Sequence, residues 1–136
     1  PRGGDEINII KAGFNYGWPL VTHGREYSGA VVGEGKVSAT GMAEPFLHWT
    51  PSIAPSGMAF YTGEDFPQWK NSLFVGALAQ KHLRLVLLDG KKVVGQTVFL
   101  KDWQRIRDVR MGQDGFLYVL TDGPDAGLYK VMRKKG

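Results

Sequence analysis

The sequence predicts an all-β protein built from short antiparallel strands, and three observations support this. The 136 residues include 19 glycines and 7 prolines, which lie between short apolar runs, where they are typical of turns. Those runs alternate apolar and polar residues, as strands with one buried face do. No run approaches the ~20 apolar residues that span a bilayer, so no membrane span is expected.

The composition excludes several classes of protein. Apolar residues make up 43% of the chain and aromatic residues 12%, which is too much for a disordered tail. The absence of cysteine removes disulfides, thiolate nucleophiles and zinc-thiolate sites. The net charge of +4 is mildly basic, but the basic residues are spread along the chain. Nucleic-acid-binding proteins usually cluster them, so nucleic acid is not an expected partner.

The N-terminal part of the chain is predicted to contain little regular structure. Residues 5–10 alternate in a way that predicts one strand, which ends before Gly13. Residues 14–56 show little periodicity and scattered aromatic side chains, which predicts a long loop region. Loops of this length in a compact domain are usually functional.

Regular strands resume after this loop region. The predicted strands are residues 57–61, 72–78, 83–88, 93–100, 105–111, 116–121 and 128–132, with one helical turn over residues 64–69. The dipeptides Asp89-Gly90 and Asp114-Gly115 lie between neighbouring strands and are typical of hairpin turns.

A weak internal repeat groups these strands. The run SLFVGAL at residues 72–78 is echoed by FLYVLTD at residues 116–122, and the next strands, LRLVLL and GLYKVM, echo one another as well. Four short antiparallel strands at a period of about 40–50 residues are typical of a β-propeller blade. Residues 57–100 then form one complete blade, residues 101–136 three strands of the next, and residues 1–13 a late strand of an incomplete blade.

About two and a half blades do not close a propeller, and they leave strand edges unpaired. We therefore expect this chain to be the C-terminal part of a longer protein, and expect residues 1–136 expressed alone to aggregate or to acquire a partner. The alternative is a small β-sandwich that folds by itself, which a monodisperse monomer with sharp unfolding would support.

Two stretches carry residues suited to binding a ligand. Asp5 and Glu6, with carbonyl groups of the loop near Tyr16, could supply oxygen atoms to a hard cation such as Ca²⁺. The alternative is an acidic turn followed by an edge strand. Arg105 and Arg107 project from one face of a predicted strand, about 7 Å apart, with Ile106 and Asp108 on the other face.

Two guanidinium groups on one face suit a ligand that carries two or more carboxylates or phosphates. The alternative is a solvated strand face. Lys81, in the turn that follows residues 72–78, would add a third positive charge if the strand ends converge on a central channel.

Five segments in order resemble the soluble quinoprotein sugar dehydrogenases, the aldose sugar dehydrogenase and glucose/sorbosone dehydrogenase group. They are GGDEIN, GFNYGWP, WTPSIAPSGMAFY, LFVGAL and RIRDVRMGQDGFLYVLTD. The resemblance implies a six-bladed β-propeller, of which this chain is the last third, with the cofactor pyrroloquinoline quinone (PQQ) over its channel. It also implies oxidation of the C1 hydroxyl of aldose sugars, an external electron acceptor, and a periplasmic or secreted location.

The same resemblance implies roles for individual residues. It places Tyr27, Ala79, Lys81, Arg105 and Arg107 at cofactor-contacting positions. The family usually has lysine at the position of Ala79, so the salt bridge that this lysine would make with the cofactor is in doubt here. Lys81 is the candidate to replace it.

The resemblance further implies a calcium site at Glu6 and Tyr16, with Tyr16 contributing its backbone carbonyl. It implies a histidine of an early blade as the general base, which none of His23, His48 and His82 matches. This chain alone is therefore expected to be inactive. The alternative is a propeller of the same family that has lost redox chemistry and binds a glycan or a protein, which Ala79 favours.

Overall fold

The computed structural model describes residues 2–134, which fold into β-strands, one short 3₁₀ turn and irregular loops. Two compact units are formed, one ending at Ile53 and one starting at Ala54. No helix within the described residues is long and apolar enough to cross a membrane.

The unit up to Ile53 contains two short strands, β1 (Asp5–Ile7) and β2 (Leu47–Trp49), which pair antiparallel. Strand β1 is shorter than the predicted residues 5–10, because β2 offers only three residues for pairing. Strand β2 lies inside the predicted loop region and was not expected, since three residues are too few to show a periodicity. The Asp5 carboxylate accepts a hydrogen bond from the backbone N–H of Ile53 at 3.1 Å and so fixes the end of this unit.

The unit from Ala54 begins with a four-stranded antiparallel sheet, the first sheet. Its order is β3 (Pro55–Phe60), β4 (Leu73–Ala77), β5 (His82–Asp89) and β6 (Lys92–Phe99), with the 3₁₀ turn Pro67–Trp69 between β3 and β4. All five residues of β4 are buried, as its apolar run predicts. Gly90 has a φ of +56°, which the hairpin signal at Asp89-Gly90 requires.

Three further strands form the second sheet, in the order β7 (Arg105–Met111), β8 (Leu117–Asp122) and β9 (Leu128–Val131). The predicted repeat is confirmed at the level of strands. The echoing runs become β4 and β8, each the second strand of its sheet, and β5 and β9, each the third.

The two sheets of this unit enclose one hydrophobic core. Its fully buried members are Tyr61, Phe74, Leu83, Leu85, Ile106, Val109, Leu117 and Val119. Strand β7 lies so close to the first sheet that a Cβ atom on Gly57 would come within 2.0 Å of Asp108 Oδ1, and one on Gly76 within 2.5 Å of Ile106 Cγ2. The Ser56 hydroxyl, 2.6 Å from the carbonyl oxygen of Ile106, ties the strands together.

Strand β7 contains a bulge at Arg107. Ile106 pairs with Thr121 and Asp108 with Leu120, so Arg107 is an extra residue without an opposite partner. The bulge changes the predicted alternation: Ile106 and Val109 are both fully buried, whereas regular alternation placed Ile106 and Asp108 on one face. Beyond the bulge, Arg105 lies directly opposite Asp122.

The outer part of the second sheet carries a compact charged cluster. Lys130 Nζ lies 2.7 Å from Asp114 Oδ2 and 4.6 Å from the centre of the Phe116 ring. The Tyr118 hydroxyl donates a hydrogen bond to the same Asp114 oxygen at 2.8 Å. The hydrogen bond from Lys130, followed by that from Tyr118, lowers the pKa of Asp114 from 3.8 to about 2.

This cluster predicts an acid-sensitive contribution to stability. Because the folded-state pKa of Asp114 is lowered, the contribution is complete above 3.8 and is lost as the pH falls through about 2. In the intact protein, Asp114→Asn should lower the melting temperature at pH 7 and flatten its decline between these pH values. Circular dichroism melts across this range measure both effects. Asp89→Asn, in the exposed hairpin turn, is the matched control, and an equal flattening in both variants would contradict the prediction.

Candidate functional site

A cleft of about 470 Å³ lies where the turn after β4, the start of β7 and the end of β8 come together. Its volume falls within the roughly 300–1,000 Å³ of small-molecule sites. We call it the arginine cleft, and the side chains that line it include Lys81, Trp103, Gln104, Arg105, Asp122 and Asp125. The structure therefore brings together two of the residues singled out from the sequence, Lys81 and Arg105.

Arg107 joins this group through a shared carboxylate. Arg105 donates its Nε–H to Asp122 Oδ2 at 3.3 Å, and Arg107 donates from a terminal amino group to the same oxygen at 2.9 Å. About half of each arginine side chain is exposed, 46% for Arg105 and 51% for Arg107, so both remain accessible to a ligand. The hydrogen bond from Arg105, together with that from Arg107, lowers the pKa of Asp122. Asp122 is therefore ionised at neutral pH.

Asp122 was not predicted as a site residue from the sequence, because its position depends on the bulge in β7. The register that begins at Met111 and Leu117, continued without an extra residue, would place Asp122 opposite Ile106, whose side chain enters the core. The extra residue moves Asp122 opposite Arg105 instead. The available signal in the sequence was the acidic residue Asp122, at the end of the predicted strand that follows the one carrying Arg105 and Arg107.

The position of Lys81 is fixed by the backbone. Lys81 has a φ of +47°, and its carbonyl oxygen accepts the N–H of Trp103 at 3.3 Å. The Trp103 ring packs edge-on against Tyr129, with 4.7 Å between ring centres. Ala79 is exposed in the same turn and is not among the residues that line the arginine cleft. Lys81 thus occupies the cleft wall that Ala79 does not reach.

Tyr27 lies in the unit that ends at Ile53. It occupies a tight turn closed by hydrogen bonds from Glu26 N–H to the Ala30 carbonyl at 2.9 Å and from Gly29 N–H to the Glu26 carbonyl at 2.8 Å. The side chain is 72% exposed. It is therefore accessible to a ligand.

Glu6 and Tyr16 lie near the end of β1 in the same unit. The Tyr16 hydroxyl accepts the N–H of Lys11 at 2.7 Å and donates to the carbonyl of Ile9 at 3.0 Å, so it closes the loop between them. Glu6 Oε2 accepts a hydrogen bond from Asn8 Nδ2 at 3.1 Å. Within residues 2–134, the other amide atom, Asn8 Oδ1, is a buried acceptor without a donor. Asn8 was not predicted as a candidate ligand from the sequence.

The histidines do not form a metal site. The rings of His23 and His48 stack at 3.8 Å and are parallel within 1°, so their in-plane lone pairs cannot point at one ion. Within the part of the chain that the structure describes, no three His, Cys, Asp or Glu side chains converge as metal ligands. A cation in this unit would thus need carbonyl oxygens in addition to the Glu6 carboxylate.

Comparison with known proteins gives the family. The sequence model described as Glucose / Sorbosone dehydrogenase matches residues 1–130. The chain belongs to the glucose/sorbosone dehydrogenase family. The resemblance inferred from the five sequence segments is therefore confirmed.

Similar proteins include members of this family with known structures. The chain is 51% identical over 133 residues to the aldose sugar dehydrogenase YliI of Escherichia coli K12, a match that covers 96% of this chain and 36% of the relative. A crystal structure of a glucose dehydrogenase superposes with a TM-score of 0.92 at 50% identity, covering 98% of this chain and 39% of that one. The PQQ-bound aldose sugar dehydrogenase of Streptomyces coelicolor superposes with a TM-score of 0.65 at 26% identity, covering 93% and 35%.

The predicted all-β propeller fold is confirmed by these superpositions. The chain spans between a third and two-fifths of the length of these family members. The roles of Tyr27, Ala79, Lys81, Arg105 and Arg107 toward a cofactor, and of Glu6 and Tyr16 toward calcium, stay predictions.

The shared carboxylate predicts a change in arginine mobility. In the intact protein, Asp122→Asn should speed hydrogen exchange at Arg105 Nε, because the charged acceptor that orders it is lost. The measurement is ¹H–¹⁵N NMR of arginine Nε groups, without added ligand. Arg110 Nε, which donates to Asp108 Oδ2 at 3.0 Å on the same strand, is the internal control and should not change. Unchanged exchange at Arg105 would show that Asp122 does not hold this side chain.

Proposed function

We propose that the protein carrying this chain is a PQQ-dependent dehydrogenase that oxidises the C1 hydroxyl of aldose sugars, and that this chain anchors the cofactor. The observation that carries the proposal is the convergence of Arg105, Arg107 and Lys81 around the arginine cleft. Family membership and the PQQ-bound relative support it. An external electron acceptor and a periplasmic or secreted location belong to the same proposal.

The residues at the arginine cleft fit an acidic cofactor. PQQ carries three carboxylates, and Lys81, Arg105 and Arg107 offer three cationic groups. Asp122 takes the Nε–H of Arg105 and one terminal amino group of Arg107, so each guanidinium fork keeps further N–H groups for a ligand. Charge-assisted bonds from fixed guanidinium groups to carboxylates are among the strongest hydrogen bonds in proteins.

In the proposed reaction these side chains bind and orient; they do not transfer protons. PQQ, when bound, supplies the hydride acceptor. Arg105 and Arg107, held in place by Asp122, would fix its orientation and stabilise negative charge that develops during the reaction. Each histidine of this chain is engaged elsewhere, His23 and His48 with one another and His82 with Gln80 and Arg84, so we assign the proton acceptor to none of them.

The residues around β1 fit a hard cation. Ca²⁺ prefers carboxylate and carbonyl oxygens. The Glu6 carboxylate and the buried Asn8 Oδ1, which has no donor among residues 2–134, are such oxygens. Because the Tyr16 hydroxyl is occupied by Lys11 and Ile9, its backbone carbonyl is the group that Tyr16 can offer. Bound calcium would supply positive charge and hold this loop.

A second candidate function is a propeller of this family that binds a glycan or a protein without redox chemistry. The observation that favours it is Ala79, which is exposed and replaces the cofactor-binding lysine that the family resemblance implies. Adding an aldose to the PQQ-loaded protein separates the two candidates, since the quinone absorbance changes only if the sugar is oxidised.

Removing either arginine should weaken cofactor binding. In the intact apoprotein, Arg105→Ala and Arg107→Ala should each reduce PQQ affinity by about 1–3 kcal/mol, because a charged hydrogen-bond donor is lost. Equilibrium titration with PQQ measures this. Arg110→Ala removes an exposed arginine from the same strand, one that pairs with Asp108, and should bind as the unaltered protein does. Equal affinities in all four proteins would refute the anchoring role.

Calcium should stabilise the protein through the residues near β1. At a free calcium concentration about 100-fold above Kd, linkage predicts a stabilisation of about 2.7 kcal/mol. Glu6→Gln and Asn8→Ala should reduce the rise in melting temperature on adding calcium after chelation. Glu44→Gln, an exposed glutamate in the same unit, should retain the full rise. A melting temperature that changes neither with calcium nor with the chelator would contradict the proposed calcium site.

A further inference from the structure

The chain contains three Asp-Gly dipeptides, Asp89-Gly90, Asp114-Gly115 and Asp122-Gly123. In such a dipeptide the backbone nitrogen of the second residue can attack the side-chain carboxyl carbon of the aspartate and form a cyclic succinimide. Glycine leaves this nitrogen accessible because it has no Cβ atom. Since all three sites share the same dipeptide, the structure around each one decides how readily it reacts.

Both reacting groups of Asp114-Gly115 are held by hydrogen bonds. Asp114 Oδ1 accepts the N–H of Phe116 at 3.2 Å, and Oδ2 belongs to the charged cluster of the second sheet. The N–H of Gly115 donates to the carbonyl oxygen of Gly112 at 3.0 Å. The carboxylate and the nitrogen would each have to leave a partner before they could react with one another.

The carboxylate of Asp122-Gly123 is held by the arginine cleft. Asp122 Oδ2 accepts hydrogen bonds from Arg105 and Arg107, which keep the carboxyl group ionised. The carboxylic acid is the form that cyclises, because its hydroxyl group can leave as water. The two arginines therefore oppose succinimide formation at this site.

Asp89-Gly90 lies in the hairpin between β5 and β6, and both residues are exposed. Among residues 2–134, neither the Asp89 carboxylate nor the Gly90 N–H has a hydrogen-bond partner. A Cβ atom built on Gly90 would meet no atom within 4 Å, so a ring has room to form, although the same is true of Gly115. The difference between these two sites is therefore the hydrogen bonding and not the space.

We propose that Asp89 is a site of spontaneous isomerisation to isoaspartate, and that the fold suppresses the same reaction at Asp114 and Asp122. In the first step a bond forms between the Gly90 nitrogen and Asp89 Cγ, and the hydroxyl of the carboxylic acid leaves with the amide hydrogen as water. In the second step water adds to the ring carbonyl that was the Asp89 backbone carbonyl, and the bond from this carbon to the Gly90 nitrogen breaks. The composition of the protein is unchanged, and water is the sole co-reactant.

The modified main chain runs through Cβ and Cγ of Asp89 and is one carbon atom longer. Asp89 pairs with Lys92 at the end of β5 and β6, and two residues connect them. The longer main chain therefore disrupts this pair and the tight turn beside it. The proposal does not depend on the binding of PQQ or calcium.

The test is ageing of the intact protein at pH 7 in ¹⁸O-labelled water, because each hydrolysed succinimide retains one oxygen atom from the solvent. Tryptic peptides 85–91 and 111–130 contain the three sites, and fragmentation by electron transfer in a mass spectrometer distinguishes isoaspartate from aspartate. Labelled isoaspartate should form at Asp89 at least about tenfold faster than at Asp114 or Asp122, the factor that one charge-assisted hydrogen bond implies. Equal rates at all three sites overturn the proposal. So does the absence of isoaspartate at Asp89 over a period in which a synthetic peptide of residues 85–91 isomerises.

Two controls separate the effect of the fold from that of the sequence. Asp89→Glu keeps the charge of an exposed turn residue but would need a six-membered ring, which forms far more slowly. This variant should lose the labelled product in peptide 85–91 and keep the rates at the other two sites. In concentrated urea, the unaltered protein should isomerise at similar rates at all three sites. A product that persists in the variant, or a preference for Asp89 that persists in urea, contradicts the proposal.

Discussion

The single extra residue in β7 is the constraint on which the candidate site depends. Without the bulge at Arg107, the pairing of β7 with β8 would place Asp122 opposite the buried Ile106. With it, Asp122 lies opposite Arg105 and within 2.9 Å of Arg107, so one carboxylate oxygen orders both guanidinium groups. The bulge in turn lies against the first sheet, where Gly57 and Gly76 leave room for β7. The geometry of the site is thus set by backbone packing between two sheets.

The structural features that could be predicted from the sequence are those that depend on residues close together in the chain. The strands of the first and second sheets were predicted within about two residues, because alternation and turn dipeptides are properties of short segments. The repeat that relates β4 to β8 was found for the same reason. Strand β2 could not be found, since its three residues acquire strand geometry only by pairing with β1, some 40 residues earlier in the chain. Asp122 was missed because register depends on a bulge, which depends on packing.

The arginine cleft orients its arginine side chains with a negative charge. In the arginine cleft, the ionised Asp122 supplies opposite charge, so a monovalent ligand meets guanidinium groups whose charge is already partly neutralised. A ligand with several carboxylates is favoured there, because it can use Lys81 and the remaining N–H groups together.

The left-handed backbone at Lys81 has a consequence for redesign of the turn after β4. A side chain other than glycine in this conformation costs about 1–2 kcal/mol, and the N–H of Trp103 on the Lys81 carbonyl helps to hold it. Ala79 has no such conformation, since the positive-φ residues of this turn include Lys81 alone. Residue 81, whose left-handed backbone would accept glycine without strain, is therefore the position that carries the lysine. The double substitution Ala79→Lys and Lys81→Gly would relieve the backbone strain at residue 81, and it would place the ammonium group on a residue whose φ is not positive.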